Sequence, residues 1–108
     1  MQWHVETLNT KVDEELERLE PTFLTKFLRI SEMLEAFGPH QVREPYVKSL
    51  DNKLWEIRMK GKSGIARAIY VTVRERRIVV LHVFIKKTDK TPRSAIKLAL
   101  ERLKEIRK

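Results

Sequence analysis

The chain has 108 residues and a mass of 12.9 kDa, with a formal net charge of +8 and a pI near 10.0. It contains no cysteine, which excludes disulfides and thiolate metal sites and fits a reducing, cytoplasmic setting. Its length predicts one domain over residues 1–108 with a single core, and the basic balance points to an anionic partner: nucleic acid, an acidic protein, or both.

Trp3 to Leu8 alternates at period two and predicts a short first strand. Asn9 or Thr10 then caps a helix in which Val12, Leu16 and Leu19 form the apolar stripe. Acids Asp13, Glu14, Glu15 and Glu17 occupy its early turns, where the helix dipole favours them. Pro21 suits a first helical position, so a second helix starts there. Its broad stripe runs through Phe23, Leu24, Phe27, Leu28, Ile30, Leu34 and Phe37, and Gly38-Pro39 stops it. The pair predicts a helical hairpin laid on one face of a sheet.

Residues 40–52 read as a connection over the surface, with Pro45 and a turn-prone Ser49 to Asn52. From Lys53 to Lys60 the pattern alternates. Trp55, Ile57 and Met59 are expected against the helices, and Glu56, Arg58 and Lys60 on the opposite face. Gly61 to Gly64 is a hairpin turn, Ile65 to Val73 the next strand, and Arg74 to Arg77 a second turn. Ile78 to Ile85 is apolar on both parities, as in a central strand covered on both sides. Thr91 and Pro92 then start a final helix, as cap and first residue. Ile96, Ala99, Leu100, Leu103 and Ile106 form its stripe, Lys97 and Glu101 a surface pair, and Lys104, Arg107 and Lys108 its basic end. The order β-α-α-β-β-β-α defines an α+β fold with a mainly antiparallel sheet. No apolar run is long enough to cross a bilayer, and no signal peptide is visible, so no membrane association is expected.

The charge is not evenly spread. Residues 58–93 hold eleven basic residues against the acids Glu75 and Asp89. Arg58 and Lys60 leave one strand face, and a hairpin brings Arg67 near them. Lys86 and Lys87 differ in parity, so at most one joins this group. Several cations on one face bind phosphate, and they also stabilise charge developing on phosphoryl oxygens during strand cleavage by a 2′-hydroxyl. Such chemistry needs no metal or cofactor, and none is expected. His82 is either a satisfied histidine of the apolar strand or an acid/base group, and Glu56 either an ion-pair partner or a general base. A solvated or protein-binding strand face accounts equally for a run of outward cations.

The segments Trp55-Glu-Ile-Arg58-Met-Lys60-Gly61, Arg67-Ala-Ile-Tyr70, Arg77 to His82, and Phe84-Ile-Lys86-Lys87-Thr-Asp-Lys90-Thr-Pro92 resemble the phage-derived, HigB-like branch of the RelE/ParE toxin superfamily. The resemblance implies a RelE-like, microbial RNase-like fold. It implies the toxin of a type II toxin–antitoxin pair, an endoribonuclease that cuts message on the ribosome and halts translation. It further implies a helix-turn-helix antitoxin as partner. By position Arg58, Lys60 and Arg67 match the basic face at the scissile phosphate, and Lys86 and Lys87 the place of a basic residue that assists the reaction; Glu56, His82 or a lysine are the acid/base candidates where the chain departs from the family. Lys62, Arg74, Arg76, Arg77, Lys90 and Arg93 are the expected RNA or ribosome contacts, the arginine turn standing apart at the far end of the strands. Lys86 to Thr91 is expected to hold the last helix beside the site. The chain departs from RelE-type enzymes in having Glu56 where they carry lysine, and in lacking a tyrosine near Arg93. The superfamily also includes gyrase inhibitors, so two further readings are a non-enzymatic gyrase toxin and a phage-derived nucleic-acid-binding module.

Overall fold

The computed structural model describes residues 2–51 and 53–106. Its elements are β1 (His4–Thr7), α1 (Thr10–Glu17), α2 (Pro21–Phe37), β2 (Val47–Ser49), β3 (Trp55–Gly61), β4 (Gly64–Val73), β5 (Arg77–Lys86) and α3 (Arg93–Leu103). One mixed sheet runs in the order β1-β5-β4-β3-β2. β1 lies parallel to β5, and the other pairings are antiparallel. The α+β class, the mainly antiparallel sheet and the helical hairpin stand as the sequence predicts.

Local chemistry accounts for the element ends. Asn9 accepts the Val12 N–H at 3.2 Å and so caps α1. Pro21 opens α2, and Gly38 closes it at φ +85°, a conformation that a side chain opposes. The β3–β4 hairpin turns through Lys62 and Ser63, with Gly61 opposite Gly64. The Ser63 hydroxyl donates to Glu20, which ties this turn to the start of α2.

The sheet is covered on both faces. Val12, Leu19, Phe23, Phe27, Ile30 and Leu34 of the helical hairpin pack with Ile57, Met59, Ala66, Ala68, Tyr70, Ile78 and Val80. On the other face Ala95 and Ala99 of α3 pack with Leu54, Ile69, Val71, Val79 and Leu81. A fully buried residue such as Leu34 or Phe23 contributes roughly 1.5–3 kcal/mol by its burial. Tyr70 is wholly enclosed, its hydroxyl has no hydrogen-bond partner, and burial pushes its pKa well up.

Four expectations need correction. The stretch 40–52 is not only a surface connection: Val47 to Ser49 pair with β3 and form the sheet edge. Three residues are too few for a period to show, and pairing with β3 creates the strand. Trp55 lies at the end of β3 and stays 36% exposed, leaving Ile57 and Met59 to meet the helices. Thr91 does not cap α3; Pro92 is its N-cap residue, and the Thr91 hydroxyl is directed to Glu56 instead. Glu101 pairs at 3.6 Å with Lys104 rather than with Lys97. β5 is an interior strand between β1 and β4, covered on both faces as its two-sided apolar pattern predicts. α3 ends at Leu103; Arg107 and Lys108, expected to close it, and Asn52 of the predicted turn lie outside the described residues. Among the described residues no helix is long and apolar enough to cross a membrane.

The open part of the β5 edge is sealed by side chains. β1 reaches only as far as Val80. Beyond it Glu15 accepts the Val83 N–H at 2.9 Å, and Arg102 donates to the Leu81 carbonyl at 2.9 Å. Glu15 and Arg102 pair with each other at 2.9 Å. One ion pair thus joins α1, β5 and α3 and satisfies strand groups that a neighbouring strand would otherwise take.

Candidate phosphate-binding face

The β3–β4–β5 register sets the site. Arg58 stands opposite Arg67, and Arg67 opposite Phe84. One step toward the hairpin end, Lys60 and Lys86 flank Ile65 on either side. Residues directly opposite share a face of the sheet. Arg58, Lys60, Arg67 and Lys86 therefore belong to one face, the α3 side, and Lys87 lies beyond the strand end. Of the two lysines it is Lys86 that joins the group.

α3 covers only the far part of this face, over Leu54, Ile69 and Leu81. The near part is closed by the loop between β5 and α3. Arg67 is wholly buried, and its guanidinium donates to the carbonyls of Thr88 and of Asp89, the latter at 2.7 Å. Its Nε lies 3.8 Å from Glu56 Oε1. Glu56 is also wholly buried; it accepts the Thr91 hydroxyl at 2.6 Å, and its second oxygen is 3.6 Å from Arg58 Nε. Arg58 in turn donates to the Asp89 carbonyl at 2.8 Å and carboxylate at 3.0 Å.

Two arginines directly across from each other repel. Glu56 and Asp89 neutralise them, and all four charges together pin the loop to the sheet. Burial draws the Arg67 pKa below its usual value; Glu56 and Asp89 oppose that change and Arg58 adds to it. An arginine remains charged through such a change.

The predicted site residues therefore separate. Arg58, Lys60 and Lys86 converge at the open end of the face, with Arg58 partly buried and both lysines exposed. Lys62, Lys87 and Lys90 are exposed around the same end. Arg67 lies beneath the loop and has no surface to offer a substrate, so its expected contact with phosphate is replaced by a hold on the loop. Glu56 is sealed below Arg58, with no path to a substrate hydroxyl. His82 is held by Glu15 at 3.0 Å and stacks on Phe84 at 4.9 Å between ring centres. Arg77 makes a two-bond pair with Glu6 at 3.0 and 2.9 Å, and Arg76 sits over the Trp3 ring. With exposed Arg74 they occupy the opposite end of the strands. Arg93 is exposed at the start of α3.

Asp89 and Thr91 are the site residues that sequence reasoning missed as such. Their signal was present: Asp89 is one of only two acids in the basic stretch. Thr91 stands where a helix cap is expected, the commoner use of threonine before a helix.

Comparisons with known proteins agree with this architecture. Residues 14–104 match the family described as "Phage derived protein Gp49-like (DUF891)". A search of curated protein sequences gave no match. Among solved structures, the archaeal RelE–RelB complex from Pyrococcus horikoshii OT3 contains a similar chain, with a TM-score of 0.58 and 25% identity. The alignment covers 79% of this chain and 96% of that one. With that likeness, the five-stranded mixed sheet and its three helices define a RelE-like fold. The chain belongs to the phage-derived Gp49-like family, within the RelE toxin superfamily.

Proposed function

We propose that this protein is the toxin of a type II toxin–antitoxin pair and that it cleaves messenger RNA on the ribosome. The observation that carries the reading is the convergence of Arg58, Lys60 and Lys86 on one open sheet end, fixed by the strand register. A scissile phosphate there takes the place of the Asp89 carboxylate on Arg58, between the two lysines. The 2′-oxygen bonds to phosphorus as the bond to the 5′-oxygen breaks, giving a 2′,3′-cyclic phosphate and a 5′-hydroxyl. The guanidinium and ammonium groups stabilise the charge on the phosphoryl oxygens. The 2′-hydroxyl proton passes to solvent. An ammonium, Lys60 or Lys86, protonates the leaving oxygen and is reprotonated from solvent. The solved complex pairs RelE with RelB, which supports an antitoxin partner here; the resemblance makes that partner a helix-turn-helix protein.

Inducing the protein alone should arrest growth and create new transcript ends within codons. Co-expression of a cognate helix-turn-helix antitoxin should restore growth. Unchanged transcripts during arrest would remove the nuclease reading.

The sealed Glu56 and the tethered His82 favour one second reading, a non-enzymatic toxin that inhibits gyrase. Loss of supercoiling activity with intact message would select it.

A further inference from the structure

Next to the loop-closed face, and sharing Arg58 and Lys60 with it, lies a groove whose other residues the nuclease reading does not use. β2 pairs with β3 only between Trp55 and Ile57, so the β3 edge from Arg58 to Gly61 has no strand beside it. Between that edge and α2 is an open groove of about 210 Å³ lined by Lys26, Arg29, Ile30, Pro45, Tyr46, Arg58 and Lys60. Four of the lining residues are cations and none is an acid. Arg58 is neutralised by Glu56 and Asp89. Lys26, Arg29 and Lys60 have no carboxylate partner among the described residues. The Lys26 ammonium donates to the Lys60 carbonyl, which fixes it over the strand edge and leaves its other donors free. Tyr46 is 44% exposed and lines the groove, and its carbonyl accepts the Arg58 N–H at 2.9 Å, which holds its backbone against β3.

Three unneutralised cations gathered around one exposed aromatic ring repel one another until an anion joins them. A ring with cations at its sides matches the alternation of base and phosphate in a single strand. The groove has room for one flat ring, not for a duplex. Ile30 and Pro45 supply an apolar floor.

We propose that this groove binds one nucleotide of single-stranded RNA next to the cleavage position, its base on Tyr46 and its phosphate on Lys26, Arg29 and Lys60. The proposal rests on the nuclease reading for its substrate, and Arg58 and Lys60 join the two sites because they border both.

Binding of a fluorescein-labelled single-stranded RNA oligonucleotide to the purified full chain, followed by anisotropy across a salt series, tests it. Tyr46→Ala should weaken binding about tenfold, and Tyr46→Phe should retain it. The double variant Lys26→Ala with Arg29→Ala should lower the slope of log affinity against log salt by about 1.4. All three positions are exposed, and unchanged circular dichroism checks that the variants fold. A wild-type protein that cuts message while these variants bind RNA normally overturns the groove alone. Variants that lose toxicity but keep RNA binding mark a protein-docking surface and also overturn it. RNA binding that depends on Tyr46, Lys26 and Arg29 in a protein that leaves transcripts intact supports the groove and removes the nuclease.

Discussion

Arg58 and Arg67 face each other across β3 and β4, and a single buried carboxylate, Glu56, lies within 3.6 and 3.8 Å of their respective Nε atoms. Only Arg58 keeps any exposure; Arg67 is spent on the carbonyls of Thr88 and Asp89. One arginine of the pair thus meets the substrate, and the other holds the loop that shapes the site.

This division predicts different variants at neighbouring positions. Arg67→Ala leaves Glu56 buried with half its compensation and frees the loop, so urea unfolding should show a loss of about 3–5 kcal/mol. Arg67→Lys, which keeps charge without the planar fork, should fall between. Lys60→Ala and Lys86→Ala remove exposed side chains, so each should stay within about 0.5 kcal/mol of wild type while losing activity.

Asp89 is 79% exposed at its side chain and occupies Arg58 at 3.0 Å, where the phosphate is expected. The Arg58 side chain is only 8% exposed, but solvent around the open Asp89 carboxylate screens the pair to about 1 kcal/mol. Asp89→Asn should therefore leave the unfolding midpoint nearly unchanged and tighten RNA binding severalfold, measured by anisotropy. Weaker binding would mean that Asp89 orders Arg58 rather than competes for it.

Glu15 predicts the acid limit of stability. Burial alone raises its pKa, but hydrogen bonds from Arg102, the Val83 N–H and His82, with the charge of His82, outweigh it and hold the carboxyl below its usual value. A depressed folded pKa stabilises the fold above the unfolded value, near pH 4.3. That contribution is lost as pH falls through the folded value. Glu15→Gln should lose about 2 kcal/mol at neutral pH and show a shallower decline in stability on acidification.

Tyr70 predicts the opposite limb. Its buried hydroxyl is unpartnered, so Tyr70→Phe should be neutral or stabilising by about 1 kcal/mol. With its pKa raised by burial, the wild-type fold should lose stability above about pH 10, where the unfolded phenol ionises. Tyr70→Phe should lack that loss in alkaline unfolding curves.

The parts of the fold legible in the sequence are those with a local cause. The α2 stripe through Phe23, Phe27, Ile30 and Leu34, the Asn9 cap, the Gly38 stop and the two-residue Lys62-Ser63 turn each follow from propensity or period, whereas Leu28 and Phe37, expected on that stripe, stay 61% and 66% exposed. β2 was not legible, because it exists only through pairing with β3. The Thr91 cap failed because a buried carboxylate in need of a donor outcompeted the helix end. At the site, parity grouped Arg58, Lys60 and Arg67 correctly, but an outward parity cannot reveal that a loop folds over Arg67. The contact of Glu15 with Arg102 spans 87 residues. Its trace in the sequence is an acid three residues after Val12, on the apolar stripe of α1.

The most direct test is single-turnover cleavage of a defined message on purified ribosomes, comparing wild type with a Lys60→Ala, Lys86→Ala double variant and an Arg74→Ala control. A nuclease built on this face predicts wild-type cleavage within a codon, leaving a 2′,3′-cyclic phosphate. The double variant should be slowed by at least about a hundredfold, the size of effect that one charge-stabilising donor supplies, and Arg74→Ala should cut at the wild-type rate. Equal cleavage by wild type and the double variant, or no cleavage by the wild-type protein, would contradict it.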